Sequence, residues 1–442
     1  MSGRNRRGRD AMGVGLAALN RLAGVPVLDR LNLRKPLERA VYRGAKNGFR
    51  GVGVANRTFA AVQQRNQPER PSTAGGRDLF DLTPTDEQQM IAEATAEFAA
   101  EQLRPVAEQA DTDCATSPEL LKRSVVELGV TLVGVPESLG GMGAERSATT
   151  GVLVAEALAH GDMGQAVACL APAAVSNALV LWGDEQQQAT YLPAFVGDDV
   201  PAAALAVLEA RPLFDPFVLR TTARRAGGGF VLDGAKALVP RAAEAELFVV
   251  AADLEGEPAL FVVESGTTGV QFEAEPAMGL RAAATAKLIL DNVALPANAL
   301  LGDGRPEVYR ECIRLSRIGW AALACGTGKA VLDYVIPYVN EREAFGEPIS
   351  HRQAVAFKVA DIAIELAGAR LATLRAAARA EQGLSYAREA GIARRLTSEY
   401  GMKIGSDGVQ LLGGHGFVKE HPVERWYRDL RACALMEGVV LV

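Results

Sequence analysis

The segment LMEGVVLV, residues 435–442, carries one carboxylate, Glu437, among apolar residues. Burying an ionised carboxylate is costly unless something compensates it. Two readings are open. Glu437 faces solvent at a frayed helix end, or it sits in a dry pocket that uses a carboxylate as a base. In the second case, burial without a partner strengthens it as a proton acceptor. Two other stretches hold residue types suited to a phosphate-bearing ligand. NEREAFGEPISHRQAVAFKVAD, residues 340–361, sets Arg342 near Phe345, a cation beside an aromatic plane that suits pyrophosphate and a purine. A surface Arg and a core Phe account for the same pair. SDGVQLLGGHGFVKEHPVERWYRDLR, residues 406–431, holds Gly413, Gly414 and Gly416, whose N–H groups can cradle phosphate. A tight turn between helices explains GGHG equally well.

These residues need elements to position them. From Leu82 the pattern is helical. LTPTDEQQMIAEATAEF has Thr83 or Thr85 as cap, Pro84 early and two acids in the first turn. Helical stretches continue to about Val196, broken by the glycine loop VPESLGGMG at 135–143. Near residue 200 the period changes. GGGFVLDGAKALVP holds Asp233-Gly234 between apolar runs, which predicts a hairpin turn there. The runs at 245–252, 259–266, 269–275 and 285–296 predict strands, and the middle third reads as an antiparallel β domain. From about Glu307 long helices return, one of them over 350–382, with Pro337 expected to interrupt another. The expected architecture is α+β. A basic extension and linker (1–80) precede a helical domain (81–200), a β domain (201–303) and a helical bundle (304–442).

The totals bound what such a chain does. With 442 residues, 49% hydrophobic and 23% charged, it reads as a soluble protein of two or three domains. No uncharged apolar run of about 18 residues suggests a transmembrane helix. Five cysteines without a CxxC fit a reduced compartment and no structural metal. The net charge of −6 favours no nucleic-acid partner, but it is uneven. Residues 1–70 carry 15 Lys/Arg against 4 Asp/Glu, a net +11, so the remainder carries −17. Three readings of that basic arm are open: a helix on an anionic membrane surface or docked on a partner, a solvated or oligomer-packing arm, and an untidy transit peptide.

Taken together, the segments from about Leu82 onward resemble the acyl-CoA dehydrogenase family. LTPTDEQ, ELGVTLVGVPESLGGMGAE, FVLDGAK, MGLRAAATAKLILDNVALPANALLG, NEREAFG–PI–Q, GVQLLGGHGF and PVERWYRD stand in the family's order and spacing. The resemblance implies a helical domain, a β domain and a four-helix bundle, assembled as homodimers or homotetramers or with a related subunit. It implies FAD between the β domain and the bundle, its adenine end reaching a neighbouring subunit. Arg342, Phe345, Gln353, Gln410, Gly413 and Gly414 would hold the pyrophosphate and adenosine of a neighbour's FAD. Arg317 would lie near the CoA or adenine moiety. Glu437 would be the base that removes the α-proton of an acyl-CoA, with the β-hydride passing to flavin N5. Electrons would leave to an electron-transfer flavoprotein, and the expected location is cytoplasmic, with membrane association through the arm.

The flavin-ring side departs from the family pattern. Leu208 stands where a Thr is expected, Phe214 where a Ser is expected, Leu238 where a Trp flanks the ring, Pro240 where a Thr bonds it, and Val439 where a Thr or Ser follows the base. The relatives' further C-terminal helix is not expected within these residues. Three functions compete: a dehydrogenase, a subunit that supplies only in-trans FAD contacts, and a flavin monooxygenase or oxidase, and Glu437 argues against the monooxygenase, whose chemistry needs no α-proton base.

Overall fold

The computed structural model describes residues 82–442. The basic arm and linker, and the membrane or partner contacts expected of them, lie outside the described residues. Helix α1 (Asp86–Phe98) starts at Thr85, which takes Gln88 N–H and receives the Gln88 side chain in return. Helices α2 (Ala107–Asp113) and α3 (Pro118–Leu128) follow. After the glycine loop, α4 (Ala148–Gly161) and α5 (Met163–Trp182) form the centre of this domain. Apolar all round, α5 is long enough to cross a membrane, but here it is buried in the protein core. Short helices α6 (Glu185–Tyr191) and α7 (Pro193–Val196) lead into the sheet.

The strands are β1 (Ala203–Ala206), β2 (Thr222–Ala226), β3 (Gly229–Val239), β4 (Leu247–Leu254), β5 (Glu257–Glu264), β6 (Val270–Ala274) and β7 (Ala286–Leu295). The sheet runs β1-β4-β2-β3-β7-β6, with β5 paired along the other edge of β4. It is mixed rather than antiparallel. β1 pairs parallel with the first half of β4, and β2 parallel with its last two residues. The reason lies in β4: its run LFVVAADL is buried along almost its whole length, so it takes partners on both edges. The hairpin turn falls at Gly227-Gly228, both at positive φ, and not at Asp233-Gly234. Asp233 and Gly234 lie inside β3 at a register shift against β7.

The last third is built from α8 (Pro306–Glu341), a hairpin of β8 (Glu343–Ala344) and β9 (Glu347–Pro348), α9 (Gln353–Glu381), α10 (Ala387–Leu412) and α11 (Val423–Ala432). At 1.5 Å per residue, α8 is about 54 Å long. It runs unbroken through Pro337, because that residue lies within five of the helix end and little ladder remains to be lost. α8 packs on α4, α9, α10 and α11, so one apolar core runs through the helical domain and the bundle.

Helix α11 ties the three regions together with charges. Arg428 holds Asp111 of α2 with two bonds, 2.8 and 2.9 Å, and donates to Met278 O at 2.9 Å. Arg425 pairs with Asp162, the N-cap of α5, at 3.1 Å. Asp429 accepts Leu280 N–H at 2.6 Å. Burial pushes the Asp429 carboxyl up to about 7, and the buried Asp162 beside it adds to this. Its folded value lies above the ordinary 3.8, so the contribution to stability is full below that value and is lost as pH rises through about 7. Asp429→Asn keeps the acceptor and removes the ionisation. Its thermal stability relative to the parent is expected to rise from about pH 4 to about pH 7 and then level off, by at most roughly 1.4 kcal/mol per pH unit. A difference that stays flat across that range contradicts the assignment.

Candidate active site

Glu437 lies two residues beyond the turn 433–435 that follows α11, and its side chain is buried. It is not the lone carboxylate that its apolar neighbours suggest. Arg317 of α8 donates from Nε to both carboxylate oxygens, 3.1 Å each, and from Nη2 to Oε1 at 2.7 Å. Arg394 of α10 brings Nη2 to 3.7 Å from Oε1. The same Arg394 donates to Cys433 O and, at 2.8 Å, to Met436 O, so it also fixes the backbone that carries Glu437. A buried carboxylate without compensation is unfavourable, and two guanidiniums converge on this one. Arg317, expected beside CoA or adenine, is committed to Glu437 in this conformation. The two oxygens are unequal. Oε1 takes two Arg317 contacts and the approach of Arg394, while Oε2 takes only Arg317 Nε. Oε2 therefore keeps the freer lone pairs.

The next residue is anchored as firmly. Gly438 O accepts Ser316 Oγ at 2.7 Å and Trp320 Nε1 at 2.8 Å. Gly438 has φ +75, and a Cβ there would lie 2.5 Å from the Val207 side chain, so only glycine lets the segment pass this close to the end of β1. Arg394, Ser316 and Trp320 were not anticipated. Nothing in IARRLTSEY or RLSRIGW marks them, since each becomes a site residue only when α8 and α10 face the 433–438 turn.

The six residues expected to serve an adenosine diphosphate lie elsewhere. Arg342 closes α8, and Phe345-Gly346 forms the tip of the β8–β9 hairpin with φ +59 and +83, both at positive φ as a type I′ turn requires. Phe345 is 97% exposed, with the Arg352 guanidinium 5.7 Å from its ring centre. Gln353 opens α9, exposed. Gln410, Gly413 and Gly414 lie at the end of α10, exposed, with open space around both glycines. Tyr338 links the two groups by donating to Leu412 O at 3.4 Å and meeting His415 Nδ1 at 2.8 Å. All six thus sit at one end of the bundle. Arg317 and Arg342 are 25 residues apart on one helix, about 37 Å. That is farther than one extended dinucleotide spans, so this set cannot serve a ligand whose reactive end lies at the same chain's Glu437.

Known proteins with the same features are readily found. The acyl-CoA dehydrogenase N-terminal, middle and C-terminal domain families match residues 85–199, 204–293 and 303–440 in turn. The chain belongs to the acyl-CoA dehydrogenase family. It is 34% identical over 365 residues to the mitochondrial short/branched chain specific acyl-CoA dehydrogenase of Rattus norvegicus, covering 80% of this chain and 83% of that protein. Butyryl-CoA dehydrogenase of Megasphaera elsdenii superposes with a TM-score of 0.74 at 28% identity, covering 81% of this chain and 96% of that one. PigA, solved as an FAD complex, shares the fold with a TM-score of 0.75 at 24% identity, covering 81% of this chain and 96% of that one. This is an oxidoreductase family, and FAD is its cofactor.

The two groups of residues that the resemblance assigns to FAD are of different kinds. The set expected on the adenosine side fits a dinucleotide, with exposed glycine backbone, an exposed ring and the exposed Arg342. The ring-side wall is apolar. Leu208 is buried, Leu238 stands at φ +50 with its N–H donated to Glu275 at 2.6 Å, Pro240 is buried, and Phe214 lies under the Arg211 guanidinium. At these positions only main-chain groups remain to meet the polar edge of a ring. Behind this wall stands a buried ion pair. Lys236 Nζ lies 2.9 Å from Glu209 Oε1 and donates to Val207 O at 3.2 Å. Glu209 also accepts the N–H groups of Arg220 and Thr221. Burial lowers Lys236 to about 8, although Glu209 opposes the shift. For Glu209, burial acts upward, but Lys236 and the two N–H donors outweigh it and hold the carboxyl below its ordinary value. Lys236→Met would leave Glu209 buried without its cation. It is expected to cost about 3–5 kcal/mol in chemical denaturation, and adding Glu209→Gln to recover at least half. A single substitution within about 1 kcal/mol of the parent would show that the pair carries no such weight.

Proposed function

We propose that the chain is an FAD-dependent acyl-CoA dehydrogenase in which Glu437 removes the α-proton of an acyl-CoA thioester. The observation that carries this reading is the placement of Glu437: buried, held by Arg317 and Arg394, one oxygen less engaged than the other. Arg317 and Arg394 hold and orient the carboxylate, and Oε2 is the oxygen that takes the proton. The Glu437 N–H donates to no protein group among the described residues and is free to meet the thioester oxygen, where negative charge develops. FAD, when bound, supplies the acceptor for the β-hydrogen and its two electrons. Arg342, Phe345, Gln353, Gln410, Gly413 and Gly414 would hold the pyrophosphate and adenosine of an FAD whose ring lies in another copy. The relative named for short and branched chains supports a small acyl group, and an electron-transfer flavoprotein is the expected acceptor.

A second reading is favoured by the apolar ring side: a subunit that supplies only the in-trans adenosine contacts to a related partner. Flavin content separates the two. An equimolar flavin spectrum in the purified homomer excludes the second reading, and a colourless chain that takes up FAD only with a partner supports it. For the first reading, addition of a short-chain acyl-CoA is expected to bleach the flavin. Glu437→Gln should slow that bleaching about 10²–10⁴-fold while the flavin remains bound. Bleaching at the parental rate would remove Glu437 from the role of base.

A further inference from the structure

In the segment that carries Glu437, one peptide unit has its two ends treated differently. Leu435 N–H donates to Ala432 O at 2.8 Å, and Met436 N–H donates to the same oxygen at 3.0 Å. Glu437 N–H, the next in line, donates to no protein group among the described residues. The carbonyl of that same peptide, Met436 O, is held by a cation: Arg394 Nη2 donates to it at 2.8 Å. Nη1 of the same guanidinium donates to Cys433 O. One planar fork therefore grips two carbonyls, and a lysine in its place could grip only one. Arg394 also approaches the Glu437 carboxylate, but Nη2 stays 3.7 Å from Oε1, beyond hydrogen-bond length. Its bonds go to the backbone, and the bonds to the carboxylate come from Arg317.

A peptide unit is planar, and among the described residues none is cis. In a trans unit the N–H points away from the C=O. Fixing Met436 O against Arg394 therefore fixes the direction of Glu437 N–H, away from α10 and its guanidinium. The two ends are also linked electronically. Amide resonance moves charge from nitrogen to oxygen, and a cation on the oxygen deepens that shift. The N–H becomes a stronger donor, as in any chain of hydrogen bonds whose members polarise one another. Burial keeps water from screening this, since the Arg394 side chain is 13% exposed and that of Glu437 8%. The chain is pinned just beyond as well, by Ser316 and Trp320 on Gly438 O, so the peptide is braced on both sides.

We propose that Arg394 is a positioning residue which, through the Met436–Glu437 peptide, aims and polarises the N–H that meets the thioester oxygen. The inference rests on Glu437 being the base of an acyl-CoA dehydrogenase. As the α-proton passes to Oε2, the electron pair of the broken C–H bond moves toward the carbonyl, and negative charge gathers on the thioester oxygen. A donor already aimed at that oxygen stabilises the charge without reorganising. The two arginines divide the work. Arg317 holds the carboxylate that takes the proton, and Arg394 holds the peptide that meets the charge left behind. Because both groups belong to Glu437, the two arginines together set the angle between base and donor. Arg394 itself needs no contact with the substrate, and its effect passes through one backbone unit.

The test uses the full, flavin-loaded chain and crotonyl-CoA, an α,β-unsaturated thioester already at the product's oxidation level, isotope-labelled at its carbonyl. Infrared difference spectroscopy reads the polarisation of that carbonyl. In the parent protein its stretch is expected to fall below that of the free thioester. Any cation can act as a counter-ion to Glu437, but only the fork holds both carbonyls. Arg394→Lys should therefore lose about half of the fall or more, and should slow flavin bleaching by a saturated short-chain acyl-CoA about 10-fold. Its affinity for crotonyl-CoA should stay within about threefold of the parent. Glu437→Gln keeps the peptide and should keep the fall. Adding Arg394→Met to Glu437→Gln leaves no carboxylate to compensate and should remove most of it. If that double variant does not fold, Arg394→Lys decides. A parental fall in Arg394→Lys, or one that survives in the double variant, overturns the role of Arg394 and leaves the base assignment standing. No fall in the parent overturns this inference together with its premise, since no thioester oxygen then meets Glu437 N–H. The infrared readout requires no proton abstraction, so the bleaching of Glu437→Gln judges the base separately.

Discussion

The rest of the site depends on one electrostatic constraint: Glu437 is buried, and a buried carboxylate must be compensated. The compensation comes from Arg317 on α8 and Arg394 on α10, residues 77 positions apart that meet only because the two helices pack face to face. Arg394 also holds the carbonyls of residues 433 and 436, so the charge that steadies the carboxylate shapes the turn that presents it. Once that turn is set, Gly438 falls against Val207 and Ser316 and Trp320 close on its carbonyl. The bundle, the β domain and Glu437 are thereby in register. Removing the carboxylate would leave two guanidiniums facing each other, which is why a neutral isostere is a fairer probe of chemistry than a truncation.

The same turn is held from behind by α11. Its inward face sets charges among buried Val423, Trp426 and Leu430, with Arg425, Arg428 and Asp429 reaching Asp162, Asp111 and the Leu280 backbone. Each of these partners belongs to a different part of the chain: the N-terminus of α5, helix α2, and the loop before β7. An apolar helix face would pack there at many angles, but a set of directional bonds admits few. The cost is two neighbouring buried carboxylates, and the raised Asp429 carboxyl is its signature.

Much of this was legible in the residues. The Thr85 cap, the period change near residue 200 and the long helical stretches after Glu307 each follow from local rules, and local rules hold where side chains see mainly their own element. The misreadings have tertiary causes. Asp233-Gly234 has turn chemistry, but β3 continues through it because β7 lies alongside and a bulge absorbs the extra residue. The sheet is mixed because β4 is buried on both edges, which alternation within one strand does not reveal. Glu437 was visible as an oddity of composition, yet its two arginines were not, since no sequence spacing relates α8, α10 and the 433–437 turn. The apolar run after Glu437 was legible as a dry environment. That it supplies part of the filling of that environment is a fact of the fold alone.

The length of α8 gives the remaining step. Its first third carries Arg317, which holds Glu437, while its far end carries Arg342 and the hairpin with Phe345. A straight helix holds these apart by about 37 Å, and no loop rearrangement shortens a helix whose core face is buried. On the proposed reading, each copy therefore contributes the reacting half of one FAD site and the adenosine half of another. Phe345 and the open glycines at 413–414 are then exposed because their ligand arrives with a neighbour. Erosion of polar contacts would weigh differently on the two halves. The ring side can lose hydroxyls and still be enclosed by backbone and apolar wall, whereas the adenosine side is open and depends on its polar and aromatic residues. On that reading, the match to the expected pattern at Arg342, Phe345, Gln353, Gln410 and the glycines, and the departure from it at Leu208, Phe214, Leu238, Pro240 and Val439, follow that division.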